Sequence, residues 1–104
     1  MDGKLRKLEN GFSSYEIFEA DQNHIFIFAD ILEKQFSFRM INTPMLGLDS
    51  VYWEASKGSV KLTVGWDIWS GAFSMANCLS GNGYVEKVAT YSNHEKPQQK
   101  YWVL

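Results

Sequence analysis

His24, His94 and Cys78 are the scarce reactive side chains of this sequence, two histidines and one cysteine in 104 residues. A cysteine nucleophile needs an imidazole within hydrogen-bond reach to take its proton. Neither histidine neighbours Cys78 in sequence, so the thiol reads as a buried, inert apolar group. Asp21 and His24 have an i, i+3 spacing that two ligands of one metal can share, but an Asp before a helix and a His in its first turn read more simply as a capped N-terminus. Gly81-Asn82-Gly83 lacks the third glycine of a dinucleotide fingerprint and the Lys-Ser/Thr of a phosphate loop, so it reads as a turn. Glu16 with Glu19, and Asp30 with Glu33, are spaced as acid/base pairs can be, yet solvated helix and strand faces carry such pairs routinely. The expectation is a non-enzyme, with no catalytic residue, no metal ligand and no cofactor.

Binding is the remaining class, and charge is the first lead. Glu9, Glu16, Glu19, Asp21, Asp30 and Glu33 follow one another with no Lys or Arg between Glu9 and Glu33. Residues 1–56 carry a net charge of -4 and residues 57–104 a net charge of +2, within an overall -2. An acidic segment of this kind steers encounter with a basic partner. The overall balance gives no positive field for a phosphate backbone, so direct nucleic-acid binding is not expected. No apolar run approaches the roughly 20 residues that span a bilayer, and the charged start Met1-Asp2-Gly3-Lys4 is not followed by a signal-peptide core. With a single cysteine, no internal disulfide forms and a reducing, cytoplasmic setting follows.

The elements that must position these residues are legible from periodicity. Hydrophobic residues at 45% and aromatics at 15% suit one aromatic-cored domain over residues 1–104. Residues 4–9 and 12–19 flank Asn10-Gly11 as a hairpin with a type I′ turn. After Asp21 as N-cap, Ile25, Phe28, Ala29, Leu32 and Phe36 mark a helix over 22–35. Residues 36–42 alternate as a strand that stops before Pro44. Ser50–Ala55 and Ser59–Trp66 read as strands joined at Lys57-Gly58, with Val51, Trp53 and Ala55 on one face and Val60, Leu62, Val64 and Trp66 on one face. Ala72–Ala76 adds another strand, with Phe73 and Met75 pointing together, and Val85, Val88, Ala89 and Ser92 fit a short second helix ending near Pro97. The apolar tail Tyr101–Leu104 reads as an edge strand. The order ββαββββα defines an α+β fold, an antiparallel sheet of about five to six strands with two helices on one face.

Gly65-Trp66-Asp67-Ile68-Trp69-Ser70-Gly71 is the second lead. Asp67 reads as the cap of a turn, taking backbone amides on its carboxylate. Trp69 sits on a glycine-bounded loop, where the commoner fate of a ring is packing on the core and the functional one is anchoring another protein. Together with Gly47-Leu48-Asp49-Ser50-Val51-Tyr52-Trp53-Glu54 and Lys61-Leu62-Thr63-Val64, this stretch resembles a pattern in small single-domain bacterial immunity proteins of contact-dependent inhibition and other polymorphic toxin systems. The resemblance covers the middle third of the chain and the strand–helix order. Such families share no catalytic motif and their toxin-binding residues diverge, so it implies a class and assigns no residue.

Taken with that resemblance, the residues predict a protein that binds and neutralises one cognate toxin domain, which the acidic segment suits to a basic nuclease. Glu16, Glu19, Asp30 and Glu33 would mimic phosphate charge, with Asp67 and Trp69 completing the binding set and Trp69 as its anchor. The chain would act as a monomer or weak homodimer. The alternative is a small-ligand-binding or enzymatic domain with an aromatic-lined pocket between sheet and helices.

Overall fold

Period-2 alternation lays down the middle strands of a sheet that has six among the described residues, and two amphipathic helices cover one side of it. The computed structural model describes residues 3–94. Strands β1 (Lys4–Lys7) and β2 (Ser13–Ile17) precede helix α1 (His24–Phe36). Strands β3 (Arg39–Leu46), β4 (Ser50–Lys57), β5 (Val60–Asp67) and β6 (Gly71–Ala76) follow, then a 3₁₀ turn (Leu79–Gly81) and helix α2 (Asn82–His94). The α+β antiparallel architecture and the order ββαββββα are as the sequence indicates.

All six strands form one sheet in the order β1-β2-β6-β5-β4-β3. Helix α1 carries the chain from β2 to the far edge, and the meander β3–β6 walks back until β6 pairs with β2, Ser14 opposite Met75 and Ile17 opposite Ala72. The register puts Tyr15 beside Ser74 and Val64 beside both Ser74 and Trp53, which fixes one face as the core side. Tyr15, Leu62 and Val64 from the sheet, Phe28 and Leu32 from α1, and Val85 and Val88 from α2 are fully enclosed there. Fully burying such a side chain contributes roughly 1.5–3 kcal/mol. Tyr15 also ties the layers together, its ring edge-on to Phe28 and its hydroxyl donating to Asn93 Oδ1 at 2.6 Å.

Several local expectations change. The first turn is not type I′, because among the described non-glycine residues only Ser37 and Asn42 have positive φ, so Asn10 does not. Gly11 alone takes the left-handed position (φ 88°), with Gly11 N–H donating to Leu8 O, as in a longer hairpin connection with a bulge. Asp21 is not the N-cap; its Oδ1 accepts from Asn23 N–H at 2.9 Å, turning the chain just before α1, and Asn23 holds the cap position. The strand expected to stop before Pro44 runs on to Leu46. It does so through a bulge, Ile41 facing Glu54 and Met45 facing Tyr52, so that 42–44 are displaced from the ladder. At a sheet edge the missing Pro44 N–H costs no bond, and the bulge absorbs the ring. Gly81-Asn82-Gly83 is a 3₁₀ turn running into α2 rather than an isolated turn. Cys78, expected to be buried, is half-exposed with its Sγ 3.2 Å from Ser80 Oγ. The tail Tyr101–Leu104 lies outside the described residues. No helix among the described residues is long and apolar enough to cross a membrane.

Candidate partner-binding surface

The strand register carries three connections to one end of the sheet: the exit of β2 at Ile17, the β3–β4 turn, and the β5–β6 turn. Ile68 N–H donates to Asp49 O across the last two turns at 3.2 Å, and Trp66 Nε1 donates to Ala20 O at 3.0 Å, fastening the approach to α1 beside them. Asp67 performs the turn-capping role read from sequence. Its Oδ1 accepts from Trp69 N–H at 3.0 Å and Ser70 N–H at 2.6 Å. Gly71, with φ 72°, closes that turn where an added Cβ would overlap the Ile17 carbonyl, so only glycine fits.

This geometry throws Trp69 outward. The ring expected to pack on the core is 71% exposed, because Trp66 already takes the inward position of the strand and the turn reverses before another inward position arises. A depression of about 620 Å³ runs past Trp69, Phe18, Glu19 and Glu16 to Lys4 and Arg6 on β1. Arg6 Nε donates to Glu16 Oε2 at 2.9 Å, so one of the expected acids is already paired. The candidate set is therefore divided. Glu16, Glu19 and Trp69 meet at this end, Asp67 holds the turn beneath them, and Asp30 and Glu33 stand on α1, where Asp30 pairs with Lys34 at 3.0 Å.

Apolar residues not singled out by sequence extend this surface. Phe18, Ile68, Leu48, Leu46 and Met45 are all more than half exposed, and all lie at these three connections. A signal for them exists in the sequence: Leu46-Gly47-Leu48 puts two leucines around a turn glycine, where turn composition is ordinarily polar. On the sheet face away from the helices, the Phe73 ring fills the space a Cβ on Gly65 would take and meets Tyr52 at 6.0 Å between ring centroids, and a groove of about 640 Å³ passes Ile41, Pro44, Met45, Tyr52 and Met75. A smaller hollow of about 370 Å³ opens between the start of α1 and the β3–β4 turn, past Phe26, Leu46 and Val51. The layer between sheet and helices, where the alternative reading places a ligand, is occupied by the enclosed side chains of the core.

His24 at the start of α1 and Cys78 after β6 stand at opposite ends of the sheet. His24 is buried with its ring edge-on to Phe28 at 4.9 Å, and burial lowers its pKa from 6.5 to about 4 against the opposing pull of Asp21. Its Nε2 has no hydrogen-bond partner among the described residues, which a neutral imidazole tolerates far better than a charged one. Among the described residues no group of three or more His, Cys, Asp and Glu side chains gathers as a metal site. Comparison with protein-family models, with curated proteins and with solved structures finds no match for this chain.

Proposed function

We propose that this protein is an immunity protein that binds one cognate toxin domain in a stoichiometric complex in the cytoplasm and neutralises it. The observation that carries the reading is the exposed pair Trp69 and Phe18 beside Glu16 and Glu19, held on turns that the fold fixes from beneath. Large aromatic anchors surrounded by polar groups are how compact domains grip another protein. The resemblance of the central strands to immunity proteins of polymorphic toxin systems supplies the class of partner. Neutralisation then needs no chemistry from this chain: a domain seated over the toxin's catalytic cleft excludes its substrate.

The experiment is titration calorimetry of the purified chain against the C-terminal domain encoded by the upstream neighbouring gene, with the toxin's effect on growth measured in cells making wild-type chain or Trp69→Ala. The expected result is a one-to-one complex, protection by the wild type, and a complex weakened by about 2 kcal/mol or more for Trp69→Ala. No heat of binding and no protection would overturn the proposal.

A further inference from the structure

Most of the exposed large apolar residues gather at one end of the sheet; Leu79 stands at the other, and Leu5, Phe26 and Tyr52 are less exposed. Phe18, Met45, Leu46, Leu48, Ile68 and Trp69, between 52% and 103% exposed, all fall on the end of the sheet where β2 exits and the β3–β4 and β5–β6 turns lie. Solitary exposed apolar side chains are ordinary, but a run of them across three connections is not. The charges sort along the same axis. Glu19, Asp21, Asp49 and Asp67 lie at this end, with Lys4 as its base beside the paired Arg6. Lys7, Lys34, Arg39, Lys57, Lys61 and Lys87 lie toward the opposite end, interspersed with Glu9, Glu33 and Glu86. The placement of Lys57 fixes that end independently, since its Nζ donates to Phe36 O at the close of α1 while Lys57 and Lys87 both stand 5.0 Å from the Tyr84 ring.

We infer that the whole end formed by the β2 exit and the β3–β4 and β5–β6 turns is one docking surface, and that its occupant is a protein face with an apolar centre rimmed by Lys and Arg. This rests on the binding role proposed above and deepens it. Charge complementarity selects the occupant. A second copy meeting end to end through this surface would set Glu19, Asp21, Asp49 and Asp67 against their own counterparts, and anionic lipid or nucleic acid would meet the same carboxylates. Strand addition at the adjacent β3 edge is also disfavoured. The 42–44 bulge and Pro44 break the row of amides that an added strand would use, so Met45 and Leu46 offer side chains rather than a ladder.

The test is an amide-resolved NMR titration of the full chain with an amphipathic Leu/Lys peptide, its Leu/Glu counterpart, and anionic lipid vesicles, with sedimentation of the chain alone. The expected result is saturable shifts from the Leu/Lys peptide confined to residues 17–19, 45–50 and 66–70. Affinity should fall as salt shortens the Debye length, and roughly tenfold or more in Leu46→Ser with Trp69→Ser, the loss expected when anchors are removed. Both residues are exposed, and unchanged dispersion of the remaining amides verifies that the variant folds. Shifts elsewhere, equal binding of both peptides, no peptide binding, vesicle binding through this end, or self-association abolished by Leu46→Ser would each overturn the inference. The upstream toxin domain separates the two readings. Its binding with a footprint elsewhere would remove this surface and keep the immunity role. Its failure to bind while the Leu/Lys peptide docks here would remove the immunity role and keep the surface.

Discussion

A buried neutral imidazole makes His24 a pH-dependent element of stability. Unfolded, it gains a proton below about 6.5; folded, it resists protonation down to about 4, because burial disfavours the charged form. The unfolded state therefore binds more protons between those values, and stability rises with pH across that window and falls as pH drops through it. The loss on going from pH 7 to pH 4 is at most about 3 kcal/mol from this group. Chemical denaturation across that range measures it, and His24→Leu should flatten the His24 part of the slope. Gly71 is the other residue on which the surface depends. Gly71→Ala places a methyl against the Ile17 carbonyl at a left-handed position, and should cost more than the roughly 1–2 kcal/mol of backbone strain alone. Thermal unfolding reads this, and an unchanged midpoint would mean the turn adapts.

Helix α1 shows how far a pattern can place an element and where it stops. Its apolar stripe fixes the helix and its buried face, but its limits come from local hydrogen bonds: the Asp21 turn delays the start to His24, and Ser37 ends the helix in the left-handed region with its N–H on Leu32 O. Ser37→Gly should therefore raise stability by about 1 kcal/mol by relieving a non-glycine left-handed residue, as denaturant midpoints would show. The meander was legible for a similar reason, since period-2 alternation from Val51 to Ala55 and from Val60 to Trp66 can satisfy only one buried face. The run of β3 past Pro44 was not legible, because whether proline ends a strand depends on its being an edge strand, and that is settled by pairing with β4. The surface was half legible. Trp69 and Asp67 stood out through glycine spacing, whereas joining Phe18 to Leu46 requires knowing that β6 returns to β2.

Across the whole molecule, charge that reads along the chain as an acidic first half becomes a polarity from one end of the sheet to the other. Glu19→Lys with Asp49→Lys should slow association with the Leu/Lys peptide by roughly tenfold at low ionic strength, as steering is lost. Asp30→Lys with Glu33→Lys, on α1, should leave that rate nearly unchanged. Stopped-flow tryptophan fluorescence, to which the exposed Trp69 contributes, can follow both, and equal slowing by the two pairs would mean that the helix face takes part. The separation of core from surface along this axis has a consequence for inheritance. The side chains that hold the sheet to its helices point to one face, while Phe18, Leu46, Leu48, Ile68 and Trp69 sit on or beside connections fixed by their own bonds, Ala20 N–H donating to Ile17 O, Gly47 N–H to Ser50 O, and Trp69 and Ser70 N–H to Asp67 Oδ1. On the proposed binding role, replacements at Phe18, Leu46, Leu48, Ile68 or Trp69 would change what the chain recognises without asking the scaffold to refold, leaving specificity free to drift while the architecture is inherited intact.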